Sequence, residues 1–285
     1  MLKRRSLVTV LATITLVASL GAAAYPLVGN YIAERNQQDV VAAATARMQE
    51  NRGEWHQMEL DAQMYNAALC DGMTNISRDI YNRQLSVTDD GLMGILEIPC
   101  LDVEIPIYHD STSDVLAKGI GHVYGSSLPI GGKGTHAALS GHSGMANQRM
   151  LTDLPNMQQG DYFIIRVLGK QLTYQVDQIR TVLPEEVDEL QIDPDKDMVT
   201  LITCTPYGIN SHRLLVRGVR VTNTDAATTA ASGRSSVWWQ EYGLAALQGL
   251  GLAAVPALIV VVVIRRRRKK DEQEENVTQP ENPEN

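Results

Sequence analysis

Three residues whose types support thiol chemistry stand at the ends of strand-like segments in this sequence. Cys204 ends the apolar run TLITC, and a turn marked by Pro206 and Gly208 leads to Arg213, which opens a second apolar run. His142 stands well upstream, where an alternating segment ends in small, turn-forming residues. A thiol nucleophile, an imidazole that transfers protons and a fixed cation are the parts that a thiol acyl-transfer site needs. The sequence therefore predicts a catalytic site made of Cys204, His142 and Arg213.

The three residues have different predicted roles. The thiolate is the reactive form of a cysteine, so Cys204 must lose its proton before it attacks. A cationic His142 can favour that thiolate and can later donate a proton to the leaving amine. Arg213 cannot act as a base, but it can hold substrate carbonyls and stabilise a tetrahedral oxyanion. Taken singly, each residue has an ordinary alternative: an inert strand cysteine, a structural histidine and a surface charge. The ordered trio fits the catalytic interpretation better.

Several strings, in the same order along the chain, resemble the sortases, specifically the pilus-building class C group. They are LSGHSG around His142, TLITC before the turn, CTPYGINSHRLLVRG around Arg213, and MGILEIP, IPIYH and GIGHVYGSSLP upstream. The resemblance covers residues 63–222. It implies a cysteine transpeptidase that cleaves an LPXTG-like sorting signal between Thr and Gly and holds the pilin as a thioacyl-enzyme. A lysine amine of the next pilin subunit would then resolve this intermediate, which yields an isopeptide-linked polymer on a Gram-positive surface.

The periodicity of apolar residues changes near Gly91. Before it, residues 30–90 have apolar side chains at helical spacing, for example Ala62 and Leu69. After it, short Val-, Ile- and Leu-rich runs separated by turn residues predict a mostly β fold, a closed barrel with short helices. A short helix is predicted over residues 143–154. The predicted strands are Gly94–Pro99, Val103–Tyr108, Ala137–Ser140, Tyr162–Val167, Gln171–Ile179, Met198–Thr203 and Leu214–Thr222.

Both ends of the chain have features of membrane attachment. The basic residues 3–5 precede an uncharged run from Leu7 to Ala24, which indicates a signal peptide or an uncleaved signal anchor. Tyr25 and Pro26 would make an unusual new N-terminus, so we favour the anchor and leave cleavage open. The uncharged run from Leu244 to Ile264 precedes six cations, which predicts a transmembrane helix with a cytoplasmic C-terminus. Its alternative is a buried core helix that ends in a basic patch.

These features predict a protein of the cell membrane, with two spans, an extracellular catalytic domain and, if the anchor is uncleaved, both termini in the cytoplasm. The predicted parts are an N-terminal signal anchor or transmembrane segment (1–29), a helical region with a candidate lid (30–90), the sortase-type catalytic β-barrel (91–222), a tether and interfacial segment (223–243), a transmembrane helix (244–264) and a cytoplasmic basic and acidic tail (265–285).

The resemblance also implies a lid ahead of the barrel, because class C sortases have an Asp-Pro-aromatic motif there that plugs the active site. The corresponding stretch, Leu69 to Asn75, lacks that motif, so a shortened, open or absent lid are the alternatives. Asp71 and Met73 are candidate substitutes for the anion and the apolar plug of such a lid. The competing interpretation is a glycine turn that ends a helix at Gly72.

Composition excludes several other classes of protein. A formal net charge of −8 argues against nucleic acid as a partner. Three cysteines cannot form a closed disulfide framework, and no CxxC spacing indicates a metal, so Cys70 and Cys100 are predicted to be small apolar residues. No cofactor and no metal are predicted. The acidic turn from Asp193 to Asp197 is predicted to be a solvated corner, and the other five histidines are given no catalytic role: His56, His109, His122, His136 and His212.

The predicted partners are LPXTG-bearing pilin subunits, other surface proteins and the membrane. Two alternatives stand beside pilus assembly. One is a housekeeping sortase that attaches surface proteins to a peptidoglycan amine. The other is a scaffold without catalytic activity whose barrel only binds sorting signals.

Overall fold

A computed structural model describes residues 2–50, 52–143, 150–186 and 188–222, together with residues 254, 258, 261–263 and 265–266. The chain divides into two compact units, Met1–Gly29 with Gln240–Asn285, and Asn30–Trp239. The candidate site lies wholly within the second unit.

Helices fill the region that the apolar spacing predicts to be helical. They are α1 (Leu2–Glu50), α2 (Trp55–Cys70) and α3 (Arg78–Arg83), and a single-turn helix α4 (Ser113–Leu116) follows within the β region. Ala62 and Leu69 lie on the same face of α2, and both are buried in the main core, as their spacing of seven residues indicates. Trp55 packs over Gly169, where an added Cβ would lie 2.4 Å from the indole ring. The apolar face of α2 is therefore fixed to the barrel.

Eight strands form a closed barrel in the order β1-β2-β3-β4-β7-β8-β6-β5, which confirms the predicted mostly β fold. The pairs β2–β3 and β4–β7 are parallel, and the others are antiparallel. The strands are β1 (Leu92–Ile98), β2 (Val103–His109), β3 (Ile120–His122), β4 (Thr135–Ser140), β5 (Tyr162–Val167), β6 (Lys170–Val182), β7 (Asp197–Thr205) and β8 (His212–Val221).

Strand β3 is absent from the sequence-based prediction. It has three residues, and a period of two cannot be recognised in so short a run. Its identity as a strand comes from its neighbours, because it pairs with β2 on one side and with β4 on the other.

Alternation along β7 divides its side chains between two apolar clusters. Val199 and Leu201 belong to the main core inside the barrel, whereas Ile202 belongs to a smaller cluster on the outer face. Because successive side chains of a strand point to opposite faces, Cys204 shares the outer face with Ile202. The candidate nucleophile is thus on the barrel wall and not in its interior.

A buried polar network joins α3 to β3. The His122 side chain is fully buried, with Nε2 2.8 Å from the Ser127 carbonyl oxygen and Nδ1 2.9 Å from the Tyr81 hydroxyl. The Tyr81 hydroxyl also accepts a hydrogen bond of 3.0 Å from the Asp110 amide. His122 is therefore a hydrogen-bonded structural residue.

This network makes stability depend on pH. Burial lowers the pKa of His122 from 6.5 to about 4, so between these values the unfolded chain binds a proton that the folded chain does not. We expect this group to lower the free energy of unfolding by roughly 3 kcal/mol as the pH falls from 6.5 to 4. Urea unfolding of the wild type and of His122→Phe at pH 6.5 and at pH 4 measures this loss of unfolding free energy. The variant should lose less stability on acidification, and equal losses would contradict the prediction.

Within the described residues, no helix combines the length and the apolar character needed to cross a membrane. The predicted span from Leu244 to Ile264 lies mostly outside the described residues, as do many side chains of the run from Leu7 to Ala24. The predicted tether (223–243) also lies outside them. The two spans therefore stay predictions.

The helix predicted over residues 143–154 falls largely on residues 144–149, which lie outside the described part of the chain. The segment that follows has turns at residues 150–153 and a 3₁₀ turn at Leu154–Asn156. The prediction of an α-helix is thus wrong for the end of this range. Pro155 lies within the 3₁₀ turn, where it has no amide proton to continue a longer helix.

Candidate active site

Cys204 and Arg213 lie directly opposite each other on the antiparallel strands β7 and β8. Side chains of opposed residues share a face of the sheet, with Cβ atoms about 5 Å apart. The intervening turn is closed by hydrogen bonds from the Ile209 and Asn210 amides to the Pro206 carbonyl oxygen, at 3.1 and 2.9 Å. The hairpin therefore brings the thiol and the guanidinium to one side of the barrel.

His142 comes to the same place through the parallel pairing of β4 with β7. Ser140 pairs with Ile202, and the Gly141 amide donates a hydrogen bond of 2.9 Å to the Ile202 carbonyl oxygen. Continuing this register by two residues would set His142 opposite Cys204, and the next residue, Ser143, donates from Oγ to the Cys204 carbonyl oxygen at 2.7 Å. His142, Cys204 and Arg213 thus form one row across three adjacent chain segments, which we call the catalytic row.

The glycine before His142, Gly141, lies close to two apolar side chains. A Cβ at this position would lie 2.5 Å from Ile120 Cδ1 and 2.8 Å from Leu151 Cδ1, so these two side chains would have to shift to admit a larger residue. The Leu151 amide also donates to the His142 carbonyl oxygen at 3.0 Å. The chain can therefore pass close to β3 and turn immediately after the histidine.

The Arg213 side chain is held over the turn by main-chain oxygens. Its Nη1 donates to the carbonyl oxygens of Asn210 and His212, at 3.2 and 3.1 Å. Among the described residues, no carboxylate forms an ion pair with Arg213. Its guanidinium is thus held by neutral main-chain acceptors of the turn.

A small apolar cluster packs beside Cys204 on the outer face of the barrel. Ile202 precedes the cysteine on this face, and Val182 lies opposite Arg213. We call this group of side chains the outer apolar cluster. Its buried members are Ala138, Val182, Ile202 and Leu215, and Val123 and Leu190 pack at its edge. The four buried side chains are at most 9% exposed, so the cluster is packed within the protein beside the thiol.

Comparison with known proteins identifies this arrangement. A family model described as the sortase domain matches residues 96–221. Sortase D of Bacillus subtilis (strain 168) is 29% identical over 132 residues, which are 45% of this chain and 64% of that protein. The crystal structure of sortase C1 from Streptococcus agalactiae is 42% identical with a TM-score of 0.61, and the match covers 66% of this chain and 99% of that one. The chain belongs to the sortase family.

Another solved relative of this sortase is sortase C of Clostridium perfringens, determined with the C-terminal cell wall sorting motif. It is 39% identical with a TM-score of 0.59, and the match covers 65% of this chain and 98% of that one. These two neighbours confirm the predicted resemblance to class C sortases. Sortases are cysteine transpeptidases, so this chain is an enzyme, and the alternative of a scaffold that only binds is set aside.

The other histidines of this sortase lie away from the catalytic row or are engaged elsewhere. His136 is buried, with Nδ1 2.8 Å from the Gln191 carbonyl oxygen and Nε2 2.7 Å from Thr200 Oγ1. Burial lowers the pKa of both His136 and His109. His212 lies opposite Thr205 and is adjacent to Arg213, so it belongs to the other face of β8. His56 is exposed on α2.

The stretch that corresponds to the class C lid is a glycine turn. The Gly72 amide donates to the Leu69 carbonyl oxygen at 3.0 Å, and the Met73 amide donates to the Ala68 carbonyl oxygen at 2.9 Å. With Gly72 at φ +88°, these bonds form a Schellman motif that ends α2. The interpretation as a helix-ending glycine turn is confirmed.

This turn lies far from the catalytic row. Cys70 Sγ packs against Gly134, and the Gly134 amide donates to the Lys196 carbonyl oxygen at the start of β7. Cys204 is near the other end of that strand, roughly 20 Å away at about 3.3 Å per residue. Asp71 and Met73 are therefore not substitutes for a lid over the thiol, and Met73 is 58% exposed.

We expect Asp71→Ala and Met73→Ala to leave the alkylation rate of Cys204 within about twofold of the wild type, because labelling depends on thiolate fraction and access. Iodoacetamide labelling followed by mass spectrometry measures the rate, with Cys204→Ala as the blank. A tenfold acceleration in either variant would show that this turn covers the thiol.

The acidic turn before β7 has structural contacts. Asp193 forms an ion pair of 3.1 Å with Lys196. Asp197 accepts hydrogen bonds from the Gly132 amide at 2.8 Å and the Tyr174 hydroxyl at 3.0 Å, and burial raises its pKa. In the part of the chain that the structure describes, no group of three or more His, Cys, Asp or Glu side chains is arranged to hold a metal ion.

Proposed function

We propose that this sortase is a membrane-anchored transpeptidase that cleaves LPXTG-like sorting signals and joins pilin subunits to a lysine amine. The observation that carries the proposal is the catalytic row, with Cys204 between His142 and Arg213 and the outer apolar cluster beside it. The row supplies a nucleophile, a proton carrier and a fixed cation.

The first half-reaction forms a thioester. The Cys204 thiolate attacks the carbonyl carbon of the signal threonine, and the tetrahedral oxyanion forms next to Arg213. The bond from this carbon to the glycine nitrogen then breaks, and His142 gives its proton to the leaving amine. The acyl group stays on sulfur, and the glycine-bearing fragment departs.

The second half-reaction transfers the acyl group to an amine. A lysine amine attacks the thioester carbon and gives a proton to His142, which is neutral after the first half-reaction. The carbon–sulfur bond breaks, the Cys204 thiolate is restored, and an isopeptide bond remains. Arg213 stabilises the oxyanion in both half-reactions, because its guanidinium stays charged throughout.

The outer apolar cluster supports the choice of substrate. A signal of the LPXTG type has leucine and proline before its threonine, and both side chains lose water favourably on an apolar surface. We place the signal beside Val182 and Ile202, which are next to the catalytic row and, at 9% each, are the most exposed of the four buried members of the cluster. The relative solved with a cell wall sorting motif is consistent with this class of signal.

Membrane attachment would supply the second substrate. The uncharged runs at the two ends of the chain and the six cations from Arg265 to Lys270 support two spans with the barrel outside. Pilin subunits held in the same membrane would present their lysine at a high effective concentration to the acyl-enzyme.

Cells that produce the full-length protein with an LPXTG-bearing pilin provide the test. We expect a series of SDS-resistant bands of increasing mass, and none when the acceptor lysine of the pilin is replaced by arginine. A single adduct on the cell wall without a series would instead support the housekeeping alternative, attachment to peptidoglycan. No covalent product with any LPXTG-bearing partner would overturn the proposed substrate class.

A further inference from the structure

We infer that Ser143 and Thr203 are positioning residues whose hydroxyl groups clamp the His142 segment onto the strand that ends in Cys204. The inference rests on the proposed roles of His142 and Cys204. It concerns two bonds that bracket the histidine, one on the residue before it and one on the residue after it.

The Ser143 hydroxyl continues the hydrogen-bond ladder where β4 has already ended. The last main-chain bond between the two parallel segments runs from the Gly141 amide to the Ile202 carbonyl oxygen. In a parallel pair the next bond would join residue 143 to the Cys204 carbonyl oxygen. Ser143 Oγ donates to that oxygen at 2.7 Å, so a side chain takes the place of a main-chain donor.

The Thr203 hydroxyl makes the second bond from the opposite direction. Its Oγ1 donates to the Gly141 carbonyl oxygen at 2.9 Å, and the threonine side chain is buried. A hydrogen bond shielded from water is stronger and keeps its geometry better than an exposed one. Gly141 is therefore held at both its amide and its carbonyl group.

The clamp matters because, among the described residues, the restraints around His142 are on its main chain. Within the described ranges, no side chain forms a hydrogen bond with the His142 ring. Histidines that transfer protons are commonly oriented by a partner on the second ring nitrogen. Here the restraints lie on the backbone instead, on Gly141, on Ser143 and on the His142 carbonyl oxygen, which accepts from Leu151. A small displacement of such a residue is costly to the reaction.

The experiment compares Ser143→Ala, Ser143→Thr and Thr203→Val in the full-length protein, with an LPXTG-type peptide as the substrate. We expect Ser143→Ala and Thr203→Val each to lower kcat about tenfold with KM nearly unchanged, because binding is kept and the proton carrier is misplaced. Ser143→Thr keeps a hydroxyl and should restore most of kcat. Alkylation of Cys204 by iodoacetamide should slow in the same order, and this readout needs no sorting signal.

Ser86→Ala is the matched control, because Ser86 Oγ also donates to a main-chain oxygen, that of Thr88 at 3.2 Å, in the loop before β1. It should keep kcat and the alkylation rate. The clamp is refuted if Ser143→Ala keeps kcat, if only KM changes, or if Ser143→Thr fails to restore kcat. A wild type that does not cleave the peptide would count against the proposed substrate, while the alkylation rates would still decide the clamp.

Discussion

Replacing Cys204 by alanine is expected to abolish the covalent intermediate and to lower peptide cleavage by at least about a thousandfold, because no other group can replace the nucleophile. Intact-mass analysis after incubation with an LPXTG-type peptide measures the adduct directly. The wild-type protein should gain the mass of the acyl fragment, and the variant should gain nothing.

The other two cysteines provide matched controls. Cys70 and Cys100 are outside any disulfide and partly buried, as Cys204 is, but they lie outside the catalytic row. Cys70 packs against Gly134, and Cys100 packs against the main core. Cys70→Ala and Cys100→Ala should therefore keep the adduct. An adduct that persists in Cys204→Ala would show that the nucleophile is a different residue.

Replacing Arg213 by lysine is expected to lower kcat about a hundredfold, as the loss of an oxyanion donor does. Lysine keeps the positive charge but loses the planar fork that can bind an oxyanion and a substrate carbonyl together. The bonds from Arg213 to Asn210 and His212 are to main-chain oxygens at the surface, so the melting temperature should change little. Steady-state cleavage of the peptide and a thermal melt measure the two quantities.

Arg217→Lys separates this effect from a general loss of arginine on β8. Arg217 lies on the same face of the strand, four residue pairs further along, but it is bound by two hydrogen bonds to Asp177 at 3.0 and 2.6 Å. Its replacement should leave kcat within about threefold, since it has no part in the row. Near-normal turnover in Arg213→Lys would make Arg213 a structural residue.

The row could be predicted because each of its members is marked by local sequence. Cys204 and Arg213 belong to one hairpin, whose strands and turn residues are visible as a short pattern. His142 follows a glycine, against which the side chains of Ile120 and Leu151 pack closely. These are features of chain geometry that a sequence records directly.

What could not be predicted depends on contacts between distant segments. The short strand β3 is defined by its neighbours, and the clamp depends on the register of β4 against β7. Ser143 and Thr203 are ordinary turn and strand residues by type, so their roles emerge only when the parallel pairing aligns them. The position of the Gly72 turn, far from the thiol, likewise follows from the packing of α2 on the barrel.

The order of the strands has a consequence for when the enzyme becomes active. Strand β8 is the last of the barrel in sequence, yet it lies between β6 and β7 in the sheet. The barrel cannot close until this strand has been synthesised. Cys204 meets Arg213 within one hairpin, but it meets His142 only through long-range parallel pairing, which forms slowly because a long loop must close. A growing chain therefore contains Cys204 before Arg213 and the pairing of β4 with β7 are in place beside it.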